Sequence, residues 1–343
     1  MLQFFNFLIF QFFNFSILQF FNFSILMTIV CATDDNFVQH CCVMLVSLLS
    51  NNSDVTIYVL TEGLRPENEQ VIKDEVAAKG GIVYFRNVDP AIIDRFPMPA
   101  GVELAHISRA TYYRLLIADL LPREVEKVLY LDCDIVVNGP IAELWQTPMD
   151  NYALAAIPQV GFGNEAVRLG YPMEYGYFNA GVTLMNLRYF REQDVTRRLM
   201  EYIASHYHTI KYHDQDTLNA VLYKETLHLM PQWNMTSNIY APGYRGLADC
   251  QDGHVVNDYS TQKANALRHK RHPIVLHFVS KPKPWSHGCT HPLAMLYYRY
   301  ARLTTHFSHI RPENALARWW AVLRYKTTMR LSIVRSSLQS LQL

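Results

Sequence analysis

The chain has 343 residues, half of them hydrophobic and 18% charged, with a formal net charge of +1. That size fits one large α/β domain or one domain with a smaller appendage, and the near-zero charge excludes a general nucleic-acid binder. The six cysteines (Cys31, Cys41, Cys42, Cys133, Cys250 and Cys289) form no C-x-x-C pair and several lie in apolar runs, so they read as reduced, mostly buried thiols of a cytoplasmic protein.

The first 26 residues repeat: Leu2–Phe7 returns as Phe10–Phe15 and again as Leu18–Phe23. The repeat has no Lys or Arg, so it lacks the basic region of a signal peptide, and Asn and Gln recur too often for a good membrane span. It is expected to be a translated DNA repeat upstream of Met27 rather than an anchor, and to lie outside the fold.

From Met27 the pattern turns regular. Thr28–Thr33 is an apolar strand that breaks into Asp34-Asp35-Asn36, and Phe37–Leu49 is apolar on nearly every side, as in a buried helix. Val55–Leu60 is a β-branched strand, Pro66–Lys79 a helix stopped by Gly80-Gly81, and Ile82–Phe85 another strand. This alternation predicts βαβ units and a mostly parallel sheet. Ser108 can cap a helix to Leu121, which Pro122 stops. Val125–Leu131, Tyr152–Ile157, Gly181–Leu187 and Pro273–Phe278 are further strands, and Phe190–His206 and Asp214–Tyr223 further helices. The domain is expected over 27–300. Beyond it, 301–343 is a basic tail with one acid, Glu313, and with Trp319 and Trp320 among its arginines. Such a tail suits either a helix lying on an anionic membrane or a helix packed on its own domain with a solvated basic face.

Asp132-Cys133-Asp134 follows the apolar run Val128–Leu131. Two carboxylates are thereby delivered to the carboxyl end of a buried strand, where open α/β sheets bind ligands. Two adjacent buried charges need a cation between them, and oxygen ligands suit Mn2+ or Mg2+, ions that commonly accompany phosphates. His277 ends the run Ile274–Leu276, and a neutral imidazole would complete such a ligand set; the plainer reading is a satisfied core histidine. Lys283, braced by Pro282, Pro284 and Trp285, can neutralise phosphate or stand as a solvated loop lysine. Asp34 and Asn36 can bind a base or ribose, or cap the following helix. His213–Asn219 opens a helix with Asp214 and Asp216, where acids favour the dipole, a reading that leaves Gln215 unexplained. Tyr177–Gly181 reads as a turn into a strand. No G-x-G-x-x-G or G-x-x-x-x-G-K-[ST] segment occurs.

Six segments in one order resemble glycosyltransferase family 8. They are Ala32–Asn36, Arg114–Pro122, Val128–Asp134, Tyr177–Val182, His213–Asn219, and Leu276-His277-Phe278 with Lys283-Pro284-Trp285. The likeness runs from about Met27 to about Tyr300, in the pattern of bacterial lipopolysaccharide galactosyl- and glucosyltransferases. It implies a GT-A nucleotide-sugar fold and a retaining, Mn2+-dependent hexosyltransferase using UDP-glucose or UDP-galactose. The acceptor would be a lipopolysaccharide core or other glycan, at the inner face of the cytoplasmic membrane. By resemblance Asp132, Asp134 and His277 would hold the metal. Ala32, Thr33, Asp34 and Asn36 would line the uridine pocket, with Cys133 offering only its backbone. Ser280, where many relatives carry Gly, and Lys283 would meet the phosphates. Arg114, Asn179, Asp214 and Gln215 would face the donor sugar. Gln215 is a poor nucleophile, so retention would come from same-face attack, with Gln215 and Asp214 positioning the sugar and stabilising its positive charge. A metal-dependent nucleotidyltransferase is a second reading, disfavoured because Asp34-Asp35-Asn36 is acidic where a triphosphate loop should be. A non-catalytic nucleotide-sugar-binding protein is a third.

Overall fold

The computed structural model describes residues 26–94, 96, 109–159, 163–240, 259–279, 281–312, 319, 320, 323 and 327. Ser108, Ser280, Cys250 and the N-terminal repeat lie outside the described residues, as does most of the tail. Continuous apolar runs make the central strands, because both faces of the sheet are covered. In chain order the main elements are β1 (Met27–Ala32), α1 (Val38–Leu49), β2 (Val55–Thr61), α2 (Pro66–Ala77), β3 (Ile82–Asn87), β4 (Lys127–Leu131), β5 (Ile135–Val137), β6 (Leu154–Pro158), β7 (Phe178–Asn186), α3 (Val195–His206), α4 (His213–Leu222), β8 (Thr226–His228), β9 (Met235–Thr236), α5 (Tyr259–His269), β10 (Val275–His277) and α6 (Ala294–Ala301).

Seven strands form one sheet in the order β3-β2-β1-β4-β7-β6-β8. Four of its pairings are parallel; β7 runs antiparallel to both β4 and β6. A second sheet has the order β5-β10-β9. The chain leaves the large sheet after Leu131 and enters the small one at Ile135, so Asp132-Cys133-Asp134 is the crossover between them. Two registers then gather the site. Leu131 pairs with Val182, which sets Gly181 beside Asp132, and His277 pairs with Ile135, next to Asp134.

Helix α1 is buried at eleven of its twelve positions because it lies between the two sheets. Met44, Leu45 and Leu48 pack with the large-sheet core, while Val43 faces Val136, Leu276 and the tyrosines of α6. That position explains its all-round apolar surface. The described chain continues past Tyr300. Buried Glu75 of α2 accepts the backbone N–H groups of Thr305 (2.8 Å) and His306 (2.7 Å). Among the described residues, no helix is long and apolar enough to cross a membrane.

Three expectations are corrected. Tyr177–Gly181 is not a turn: β7 begins at Phe178 and is buried throughout, and the side chain of Asn219 bonds both backbone groups of Phe178. The helix expected up to Leu121 is a 3-10 stretch over Arg109–Leu116 and one α turn over Ile117–Leu120. The long helix expected over Phe190–His206 is broken at Asp194, whose φ is +50°. Arg191 is drawn aside there, donating to the carbonyls of Ala118, Leu121, Pro122, Arg123 and Val125.

Candidate active site

Asp132, Asp134 and His277 each offer one ligand atom within 4.8 Å of the others. His277 Nε2 stands 3.0 Å from Asp134 Oδ1 and 3.7 Å from Asp132 Oδ2. Asp134 Oδ1 is buried and receives no hydrogen bond. Its other oxygen holds the Lys283 ammonium at 2.6 Å. Burial opposes ionisation of Asp134, yet the Lys283 ammonium and the adjacent His277 ring hold its carboxyl well below the usual carboxylate range. An octahedral cation with bonds of about 2.1 Å sets adjacent ligand atoms about 3 Å apart, so the trio fits a hard divalent ion. Gly181 makes room for it: a Cβ there would lie 2.2 Å from His277 Cε1 and 2.5 Å from Asp132 Oδ2.

Lys283 is fixed by its loop. Trp285 stacks on His40 of α1 at 3.7 Å, and Tyr298 of α6 donates to the Pro284 carbonyl at 2.9 Å. Burial in that stack lowers the His40 pKa to about 4, so the ring is neutral near pH 7. Lys283 also donates to the Phe278 carbonyl.

Ala32, Thr33, Asp34, Arg114, Asp132, Cys133, Asp134, Asn179, Asp214, Gln215, His277 and Lys283 all line one cavity of about 540 Å³, a size suited to a nucleotide sugar. Of the expected residues, Asn36 is exposed and outside that lining, and Ser280 lies outside the described residues. Asp34 does not cap α1, whose N-terminus has no side-chain cap bond; it accepts from the N–H groups of Asn36 and Phe37 in the turn before that helix and borders the cavity. The Cys133 thiol turns inward to the Ala32 carbonyl at 3.1 Å.

Arg114 is 5% exposed and ties the two sides of the cavity together. It reaches Asp132 Oδ1 (2.8 Å), Asp214 Oδ2 (2.8 Å) and the Ala180 carbonyl (2.6 Å), with its guanidinium 4.3 Å above the Tyr130 ring. Thr111 also donates to Asp214. Gln215 is held at both ends of its amide. Its Oε1 accepts from Asn179 Nδ2 and Ala180 N, and its Nε2 donates to Tyr177 Oη and Gln159 Oε1. Asp216 is fully buried behind Tyr177, bound by Arg168, Tyr177 and the N–H groups of Lys211 and Tyr212.

A family model described as glycosyl transferase family 8 matches residues 28–289. The chain belongs to glycosyl transferase family 8. General stress protein A of Bacillus subtilis (strain 168) is 30% identical over 285 residues, 81% of this chain and 94% of its own length. The lipopolysaccharide 1,3-galactosyltransferase of Salmonella typhimurium is 25% identical over 80% of this chain and 77% of its own. The crystal structure of the galactosyltransferase LgtC with donor and acceptor sugar analogs superposes with a TM-score of 0.71 at 26% identity, covering 84% of this chain and 98% of that one. The family 8 fold here is of the GT-A type.

Sequence reasoning missed Thr111, Gln159, Tyr177, Asn234 and the steric role of Gly181 at this site. A glycine inside a strand signals close approach by another group, so Gly181 was discoverable once the strand was known. Asn234 carries no linear signal of its contact with His277.

Proposed function

We propose that this family 8 glycosyltransferase is a retaining, Mn2+-dependent enzyme that moves glucose or galactose from a UDP-sugar to a glycan acceptor, with the lipopolysaccharide core as the best-fitting class. One observation carries the reading: Asp132, Asp134 and His277 converge at the crossover between the sheets, on the same cavity as Ala32–Asp34 and Gln215. A divalent ion held by that trio supplies Lewis-acid stabilisation of a departing diphosphate. The chain's own groups do the rest. Lys283 exchanges Asp134 for phosphate oxygens when the donor enters, since its ammonium already sits at the rim of the ligand set. Asp34 and Thr33 border the space for the nucleoside.

The hydrogen bonding favours same-face attack. Gln215 Oε1 already accepts two N–H groups, both Asp214 oxygens are engaged, and Asp216 is sealed behind Tyr177. No carboxylate of this helix is left free as a nucleophile, so the acceptor hydroxyl attacks from the leaving-group side and the departing phosphate oxygen takes its proton. Asp214 and Gln215 orient the sugar and offset positive charge at the anomeric carbon. The basic tail, with exposed Trp319 and Trp320, suits peripheral contact with an anionic membrane.

UDP-galactose and UDP-glucose should each be supplied with Mn2+, with and without a truncated lipopolysaccharide core glycan. The expected result is Mn2+-dependent UDP release, faster with acceptor, and an α-linked product by NMR. Formation of sugar nucleotide from UTP and sugar phosphate would favour the nucleotidyltransferase, and binding without turnover the non-catalytic protein.

A further inference from the structure

We infer that Asn234 prepares His277 for metal binding by dictating which ring nitrogen carries the proton, an inference that rests on the metal reading above. Two backbone donors fix the polarity. Gly181 N donates to Asn179 Oδ1 at 3.1 Å, and Ala180 N to Gln215 Oε1 at 3.1 Å. A backbone N–H can only donate, so both amides have their oxygens at those contacts. Asn179 Nδ2 accordingly donates to Gln215 Oε1 at 2.9 Å. Asn179 Oδ1 also meets Asn234 at 2.8 Å, where Asn234 must present its Nδ2. Asn234 therefore turns its Oδ1 to His277 Nδ1, 3.0 Å away.

An amide oxygen only accepts, so Nδ1 bears the hydrogen and the neutral ring keeps its lone pair on Nε2. That lone pair faces Asp134 Oδ1 at 3.0 Å and Asp132 Oδ2 at 3.7 Å. Three acceptors converge, an arrangement that a bound cation relieves, as would a second proton on Nε2. With the opposite polarity, Nε2–H would donate to Asp134 and make a self-contained His–Asp pair needing no metal. The backbone of Ala180 and Gly181, read through two asparagines, thus selects the metal-binding tautomer. Asn234 is placed by register: it precedes β9, whose Met235 pairs with Leu276 beside His277, and it is 1% exposed. The same side chain joins the ligand set to Gln215 through Asn179, so the donor-sugar side and the metal side share one hydrogen-bond polarity.

Mn2+ affinity, measured by the EPR signal of free Mn2+ without nucleotide or acceptor, provides the test. Asn234→Leu removes the acceptor and should weaken Mn2+ binding by about 10–100-fold. Asn234→Asp keeps an acceptor for Nδ1–H and should retain Mn2+ binding, while losing the donor to Asn179. In long-range 1H–15N spectra of the wild-type protein, taken where the ring is neutral, His277 should show a protonated Nδ1. Wild-type Mn2+ affinity in a folded Asn234→Leu protein overturns the inference, and so does an Nε2–H tautomer in the wild type. A wild type that binds no Mn2+ overturns the metal reading and this inference together.

Discussion

Asp214 shows how one side chain's surroundings set its task. Burial pushes its carboxyl up to about 6, although Arg114 and the Thr111 hydroxyl both favour the charged form. Arg114 cannot offset more, because Asp132 shares it. The folded pKa lies above the ordinary 3.8. As pH rises between those values the unfolded chain ionises first, so this group's contribution to stability falls across that window and levels off above it. If the ionised form supports the sugar's positive charge, kcat/KM should rise through about pH 6, and Asp214→Asn should abolish that limb in a pH–rate profile. An unchanged limb in the variant would assign it to another group. Asp132, Asp134 and Lys283 were legible because each sits at a strand end or in a proline-braced segment. Asn234 and Thr111 were not, since their partners lie 43 and 103 residues away in sequence.

At the scale of elements, the site depends on strand pairing more than on helices. The three residues between β4 and β5 change sheets, and β7 and β10 bring Gly181 and His277 to them by register. Apolar runs revealed the strands, but their partners depend on the order β3-β2-β1-β4-β7-β6-β8, which no local pattern encodes. Hydrophobic period also could not expose the break at Asp194, because the apolar face continues across it from Phe190 to Val195 and Leu199. Glu75 does for Thr305 and His306 what Asp34 does for the turn before α1: it satisfies backbone donors. Glu75→Ala leaves two amides without their acceptor, a loss of about 1–3 kcal/mol for each one that stays buried. Calorimetry should show Tm falling by several degrees, with Glu75→Gln losing less because one oxygen remains. Turnover per folded molecule should hold, since Glu75 lies outside the cavity lining; a Tm equal to wild type would show that water replaces the carboxylate without penalty.

For the whole molecule, two sheets enclose α1, and the cavity opens along the seam where the chain passes between them. The loop carrying Lys283 is fixed by contacts from α1 and α6, so the far carboxyl end of the domain completes a site begun by β1. Trp319 and Trp320 are 58% and 57% exposed, and Arg318, Arg324 and Lys326 flank them in the sequence. The double variant Trp319→Ser/Trp320→Ser should sediment less with anionic phospholipid vesicles while releasing UDP at the wild-type rate with a free acceptor. Equal sedimentation would remove the membrane reading of the tail.

The sequence by itself determined the α/β class, the family likeness and the metal-ligand candidates, because apolar runs and the acids that end them are local features. Only the tertiary structure decided that Gly181 must lack a side chain, that Arg114 bridges Asp132 to Asp214, and that Asn234 addresses His277. The reason is physical: hydrogen-bond polarity and steric clearance are set by groups that meet across sheets, and their distances are fixed by register rather than by sequence spacing.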